Sequence, residues 1–182
     1  MKQQIIIFVG PDKCGKSTIA KELSLRTGIP YFKASTEHEA FQGGQDRFIN
    51  DLLYADPRAI DILRQTGASI IMDRGYPCEA VYSKFYNRPT NNSAIDRIDA
   101  GYAHMGTLII FCTRSDFTGW HDDLDESIDS HELENISTLY EAYLRNRSMC
   151  PWLKLTVDDG DIERQIHDIE RFIEAYEHLA TA

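Results

Sequence analysis

Long apolar runs, closely spaced cysteines and an excess of positive charge are all missing from this 182-residue chain, and each absence removes a class of protein. Nothing approaches the roughly 20 consecutive apolar residues of a membrane-spanning helix. The opening MKQQIIIFVG holds a single short apolar run, IIIFV, too short for the core of a signal peptide. Cys14, Cys78, Cys112 and Cys150 form no C-x-x-C pair, and one of them lies in a strand-like run, so free thiols in a reducing compartment are expected. These features predict a cytoplasmic protein without a membrane partner. A formal charge of -10 argues against extended nucleic-acid binding, which relies on clustered Lys and Arg, and leaves room for a small anion in a local basic pocket. Linker-like tracts and repeats are absent too, so the expectation is a single domain over 1–182, long enough to bury an α/β core unaided.

What is present is alternation. Short apolar runs at Ile5 to Val9, Ser69 to Asp73, Thr107 to Cys112 and Leu153 to Val157 read as strands, with a weaker one at Ile29 to Lys33 after Gly28. Helix-length amphipathic segments separate them: Lys16 to Thr27, Arg47 to Tyr54, Arg58 to Arg64, Glu79 to Asn87, Ser93 to His104, Glu132 to Asn146 and Ile162 to Leu179. This pattern predicts a three-layer α/β/α sandwich around a five-stranded, mostly parallel sheet. The central three strands, nearly continuous in apolar residues, should be buried on both faces. Ligands of such sheets bind beyond the carboxyl ends of the strands, which directs attention to GPDKCGKST, KASTEHEAF, DRGYPCEAVY and TRSDFTGW.

GPDKCGKST, Gly10 to Thr18, matches G-x-x-x-x-G-K-[ST] between a strand and a helix. Gly10 and Gly15 let the backbone curl so that the N–H groups of Asp12, Lys13, Cys14, Gly15, Lys16, Ser17 and Thr18 can surround a triphosphate at a helix N-terminus. Lys16 supplies charge to the β and γ phosphates, and the Ser17 hydroxyl is a ligand for Mg²⁺. Asp73, ending the third strand, can hold a water on that Mg²⁺, and Arg74 can face a substrate phosphate. A strand-end ion pair is the plainer reading of Asp73 and Arg74. These features define a P-loop NTPase fold with ATP and Mg²⁺ as the expected nucleotide and metal.

Two further stretches, LLYADPR at Leu52 to Arg58 and DRGYPCEAVY at Asp73 to Tyr82, resemble the base-binding helix and the DR-aromatic motif of thymidylate kinases. The likeness runs over roughly Ile5 to Phe172. It implies transfer of the γ-phosphoryl group of ATP to dTMP or a related pyrimidine deoxynucleoside monophosphate, giving the diphosphate, by a protein that is commonly a homodimer. Carried over position by position, Tyr54 stacks on the base and Arg58 hydrogen-bonds it, both on one helix face. Pro57 between them departs from the pattern and predicts a bend. Arg74 contacts the acceptor phosphate, Asp73 serves the metal, Tyr82 lies under the sugar, and Lys33 stands in for an arginine on the acceptor phosphate. Gly75 replaces a Tyr or His, which leaves space beside the acceptor. Asp12 approaches the 3′-hydroxyl, and Lys13 replaces an arginine that reaches the transferred group, keeping charge but losing the planar fork. A solvated pair is the alternative for Asp12 and Lys13, and an ordinary core aromatic for Tyr54.

No Lys or Arg occurs from Ser115 to Leu144, so a lid at about 115–131 is acidic and brings no cation to a transferring phosphoryl group. Lys13, Lys16 and Arg74 are then the available donors, with Arg114, Arg88 and Arg97 as further candidates. The acids of WHDDLDESIDSHE lack the spacing of an EF-hand, and His121, His131, His167 and His178 lack that of a zinc pair. The acceptor region is expected at about 34–66. Two other readings stay open: a kinase for a hydroxyl of a nucleoside or of a modified base, including one in DNA, and a nucleotide-binding protein without catalysis.

Overall fold

A computed structural model describes residues 3–33, 45–120, 128–158 and 160–181, with backbone alone for 45–54 and 180–181. Five strands, β1 (Ile5–Val9), β2 (Tyr31–Lys33), β3 (Ile70–Asp73), β4 (Leu108–Thr113) and β5 (Trp152–Thr156), form one parallel sheet in the order β2-β3-β1-β4-β5. Six helices accompany them among the described residues: α1 (Lys16–Thr27), α2 (Gln45–Thr66), α3 (Tyr76–Phe85), α4 (Asn92–His104), α5 (Ser130–Asn146) and α6 (Ile162–Thr181). Helices α1 and α6 pack together, while α2 to α5 pack among themselves, which makes three layers with the sheet. Every residue of β1 and β4 is buried, as continuous apolar runs covered on both faces should be.

Local signals explain most boundaries. Helix α1 starts at Gly15 and stops at Gly28, both in the left-handed region. The side chain of Asp129 caps α5 and Glu132 answers it in a capping box. Ile166, Ile169 and Ile173 bury one stripe of α6.

The largest departure is at Pro57. The two helices expected on either side of it are one, α2, running through the proline. A proline inside a helix costs about 3 kcal/mol. Here Asp56, Ile60 and Leu63, at helical spacing, are all buried against the body of the protein, and that packing holds the helix together across the missing hydrogen bond. Helix α3 also begins earlier than expected, at Tyr76, because Tyr76 is itself fully buried and stacks on Tyr102 with centroids 5.6 Å apart.

The register places the site. Phe8 is level with Asp73, and Lys33 is level with Asp73 on its other side. The chain therefore leaves β1, β2 and β3 at one edge, carrying Gly10, Lys33 and Arg74 into the same region.

Candidate functional site

The phosphate loop is built around a glycine that no other residue can replace. Gly10 has φ 135°, and a Cβ there would lie 2.0 Å from the Cys112 carbonyl oxygen of β4. The loop then turns through Lys13, whose φ of 63° is unusual for a residue with a side chain, and Gly15 at φ 65°. Lys16 enters the first turn of α1 and is buried, its ammonium donating to the Pro11 carbonyl and standing 3.6 Å from Asp12. Cys14 is fully enclosed; burial pushes its thiol up to about 11, against the pull of Lys16 and Arg114, so it stays protonated and unreactive.

Asp73 is the buried acid of the site. It accepts from the Ser17 hydroxyl at 2.5 Å and from the Tyr31 hydroxyl at 2.8 Å, both on Oδ2. Among the described residues its Oδ1, which is buried, has no hydrogen-bond partner. A buried carboxylate oxygen without a donor is costly, and a hydrated cation removes that cost. Ser17 and Asp73, two hard oxygen donors in contact with an acceptor to spare, therefore fit Mg²⁺. Tyr31 was missed by sequence reasoning; its hydroxyl is pushed up to about 12 by burial and by its bond to Asp73, which keeps it a neutral donor.

Arg74 follows with φ 75°, its amide pinned to the Phe8 carbonyl at 2.9 Å. Its guanidinium pairs with the carboxylate of Asp12, and the two side chains are 10% and 17% exposed. Asp12 thus lies between Lys16 of the phosphate loop and Arg74 of the DR stretch. Tyr82 stands beside them: its hydroxyl is held well above its ordinary value by burial, and Arg74 works in the opposite direction. Tyr82 packs edge-on to Tyr140 and stacked on Tyr86. Lys33 is half exposed, with its ammonium 3.4 Å from the Ser17 hydroxyl and 4.0 Å from Asp73. That puts its ammonium beside Ser17 and Asp73.

The structure brings together Gly10, Asp12, Lys13, Cys14, Gly15, Lys16, Ser17, Lys33, Asp73, Arg74 and Tyr82. Thr18 follows as an exposed residue of the first turn of α1. Arg58 is apart from this group. It is exposed on the side of α2 away from Asp56, Ile60 and Leu63, and the side chain of Tyr54 lies outside the described residues. The residue of α2 that does reach the DR stretch is Asp56. It is buried, accepts from the Tyr102 hydroxyl at 2.8 Å, and faces the Tyr76 amide at the start of α3.

The structure also places Gly75 and the further candidate cations. A Cβ at the buried Gly75 would make an ordinary van der Waals contact with the Ile7 side chain of β1, at 3.4 Å. Gly75 faces the core, and the aromatic of the motif, Tyr76, is buried one position later. Arg88 is not available to a phosphoryl group: it makes a two-pronged pair with the fully buried Glu79, at 2.7 and 2.6 Å. Arg114 is engaged as well, donating from Nε to the Lys13 carbonyl at 2.7 Å. Arg97 is an exposed residue of α4. Residues 34–44 of the expected acceptor region and 121–127 of the expected lid lie outside the described residues. Among the described residues no three His, Cys, Asp or Glu side chains gather as a metal cage, and no helix is long and apolar enough to cross a membrane.

Several solved structures share this architecture. YorR from Bacillus subtilis, solved with phosphorylated GDP, is 22% identical with a TM-score of 0.69, over 96% of this chain and 98% of that one. Deoxyadenosine kinase from M. mycoides with bound dATP is 18% identical with a TM-score of 0.63, over 96% of this chain and 100% of that one. A sugar kinase from Janibacter sp. is 13% identical with a TM-score of 0.58, over 96% and 95%. At these identities the likeness is one of fold. No curated protein matches the chain. The family model described as AAA domain matches residues 5–165, most of the sequence, and this chain belongs to that family.

Proposed function

We propose that this protein is a Mg²⁺- and ATP-dependent kinase that transfers the γ-phosphoryl group to a deoxynucleoside monophosphate, with dTMP and related pyrimidine monophosphates, modified ones included, as its acceptors. The observation that carries this reading is the placement of Arg74. A guanidinium stands across Asp12 from the phosphate-loop lysine, where a second phosphate can meet the first. A hydroxyl acceptor calls for a base at that point; a phosphate acceptor calls for a cation.

In this reading the backbone N–H groups from Asp12 to Thr18 and the Lys16 ammonium neutralise the β and γ phosphates, and Lys13 adds charge at the loop. Ser17 and, through water, Asp73 would hold Mg²⁺, which would supply charge neutralisation at the same phosphates. Tyr31 keeps the Asp73 carboxylate aimed at Ser17. Arg74 exchanges Asp12 for the acceptor phosphate and holds it in line, and the released Asp12 is then free to meet the sugar. Positioning and charge account for the chemistry, and no covalent intermediate on the protein is needed.

A hydroxyl acceptor is the second reading, favoured by the structural likeness to deoxyadenosine kinase. ATP consumption measured with deoxynucleoside monophosphates, nucleosides and short DNA as acceptors separates the two. Turnover that depends on a monophosphate supports the proposal, turnover with nucleosides or DNA alone supports the second reading, and no acceptor-dependent turnover sinks both.

A further inference from the structure

The lid segment begins with a contact that reaches back into the phosphate loop. Arg114, the first residue after β4, lays its guanidinium over the ring of Trp120, 4.2 Å from the centroid, while its Nε donates to the Lys13 carbonyl at 2.7 Å. Lys13 is the loop residue held at φ 63°, a conformation that costs on the order of 1 kcal/mol or more and persists only when neighbours enforce it. The backbone just after Arg114 is tied down as well. Ser115, next in the chain, donates its amide and hydroxyl to Asp158 after β5, at 3.0 and 2.5 Å. Trp120 itself closes a turn on the carbonyl of Phe117, which is buried, and leaves 39% of its surface exposed.

We infer that Arg114 and Trp120 are positioning residues: Trp120, through Arg114, holds the Lys13 carbonyl outward and so keeps the phosphate loop in the shape that turns its N–H groups toward a phosphate. The role in catalysis rests on the kinase reading above; the role in shaping the loop does not. A cation on an indole face contributes about 0.5–2 kcal/mol, and a charged donor on a carbonyl somewhat more, which is enough to hold one strained residue. Lysine at 114 keeps the charge but cannot reproduce a hydrogen bond from Nε beneath a flat stacked group. The arrangement also gives Arg114, the one cation at the head of an acidic segment, a use that does not involve the transferring phosphoryl group.

The test has two arms on the full chain. In nucleotide-free protein, amide hydrogen exchange over residues 10–18 is compared for the parent, Trp120→Phe, Trp120→Ala and Arg114→Lys. Exchange should rise about three- to tenfold in Trp120→Ala and Arg114→Lys and stay within about twofold of the parent in Trp120→Phe, with β1 and β4 unchanged in all. Unchanged exchange across the loop in Trp120→Ala or Arg114→Lys overturns the inference, and so does a rise spread evenly over β1 and β4, which marks general loosening. In the second arm, ATP titrations follow Trp120 emission in a Trp152→Phe background. A response there with an affinity that drops in Arg114→Lys supports the link to the kinase reading. Absence of ATP binding in the parent counts against that reading and leaves the first arm to decide the inference.

Discussion

The guanidinium of Arg74 closes on the carboxylate of Asp12, joining the DR stretch after β3 to the phosphate loop after β1. Both partners are mostly buried, and Asp12 also faces Lys16 at 3.6 Å. One carboxylate thus satisfies two cations that are placed to receive phosphates. Replacing Asp12 by Asn removes the competitor for Arg74. The expected outcome is tighter binding of a monophosphate acceptor, several-fold by calorimetry, with a lower kcat because the acid that meets the sugar is gone. Weaker acceptor binding in Asp12→Asn would show that the pair does not occupy the acceptor's place.

Lys16→Ala should abolish turnover while the fold survives. The ammonium is buried beside the Pro11 carbonyl, and the loss of such a preorganised charge costs at least about 10²–10³ in rate, which takes turnover below detection. Circular dichroism and steady-state kinetics on the same sample check both halves; near-normal phosphoryl transfer defeats the mechanism.

Asp56 gives a pH signature. Burial raises its carboxyl from the ordinary 3.8 to about 6, with the Tyr102 hydroxyl and Tyr76 amide only partly opposing this. Between those two values the native state binds more protons than the unfolded chain, so this group lowers stability as pH rises through the window. The loss approaches about 3 kcal/mol above pH 6. Urea unfolding of Asp56→Asn should therefore gain on the parent by up to that amount between pH 4 and 7. A difference that stays constant with pH contradicts the burial assigned to Asp56.

Arg88→Ala should destabilise far more than a surface change. Glu79 is fully buried and takes both its charge partners' hydrogen bonds from Arg88, with Thr90 adding a third at 2.5 Å. Stripping the cation leaves a buried unpaired carboxylate, a loss of about 3–5 kcal/mol. Thermal melts should show a fall of about 10 °C in Tm, since each kcal/mol shifts a protein of this size by about 2–4 °C. Glu79→Gln in the same background should recover part of it.

The phosphate loop was the most legible part of the chain, because its signals are local. Glycines bound α1 at both ends, an apolar run defines β1, and the spacing from Gly10 to Ser17 carries the chemistry with it. The strand ends were readable to within a residue or two for the same reason, which is why Asp73 could be placed at the carboxyl end of β3. What could not be read were the partners across the fold. Whether Arg88 meets a phosphate or Glu79 depends on how α3 turns beneath the segment after it, and no spacing in the sequence encodes that. Pro57 argued for a break in α2, yet Asp56, Ile60 and Leu63 bury together and override it. Tyr31 belonged to no motif and Asp56 drew no role within LLYADPR, and only their hydrogen bonds with Asp73 and Tyr102 show what they touch.

The direct test of the central claim is where the γ-phosphoryl group ends up. Phosphorus NMR of a reaction containing the protein, MgATP and dTMP should show the phosphomonoester resonance of dTMP disappear as ATP is consumed, with two nucleoside diphosphates formed for each ATP, ADP and that of the acceptor, and no such loss with Lys16→Ala. A new phosphomonoester signal in a parallel reaction with thymidine, and no diphosphate from dTMP or any other deoxynucleoside monophosphate, would contradict the account.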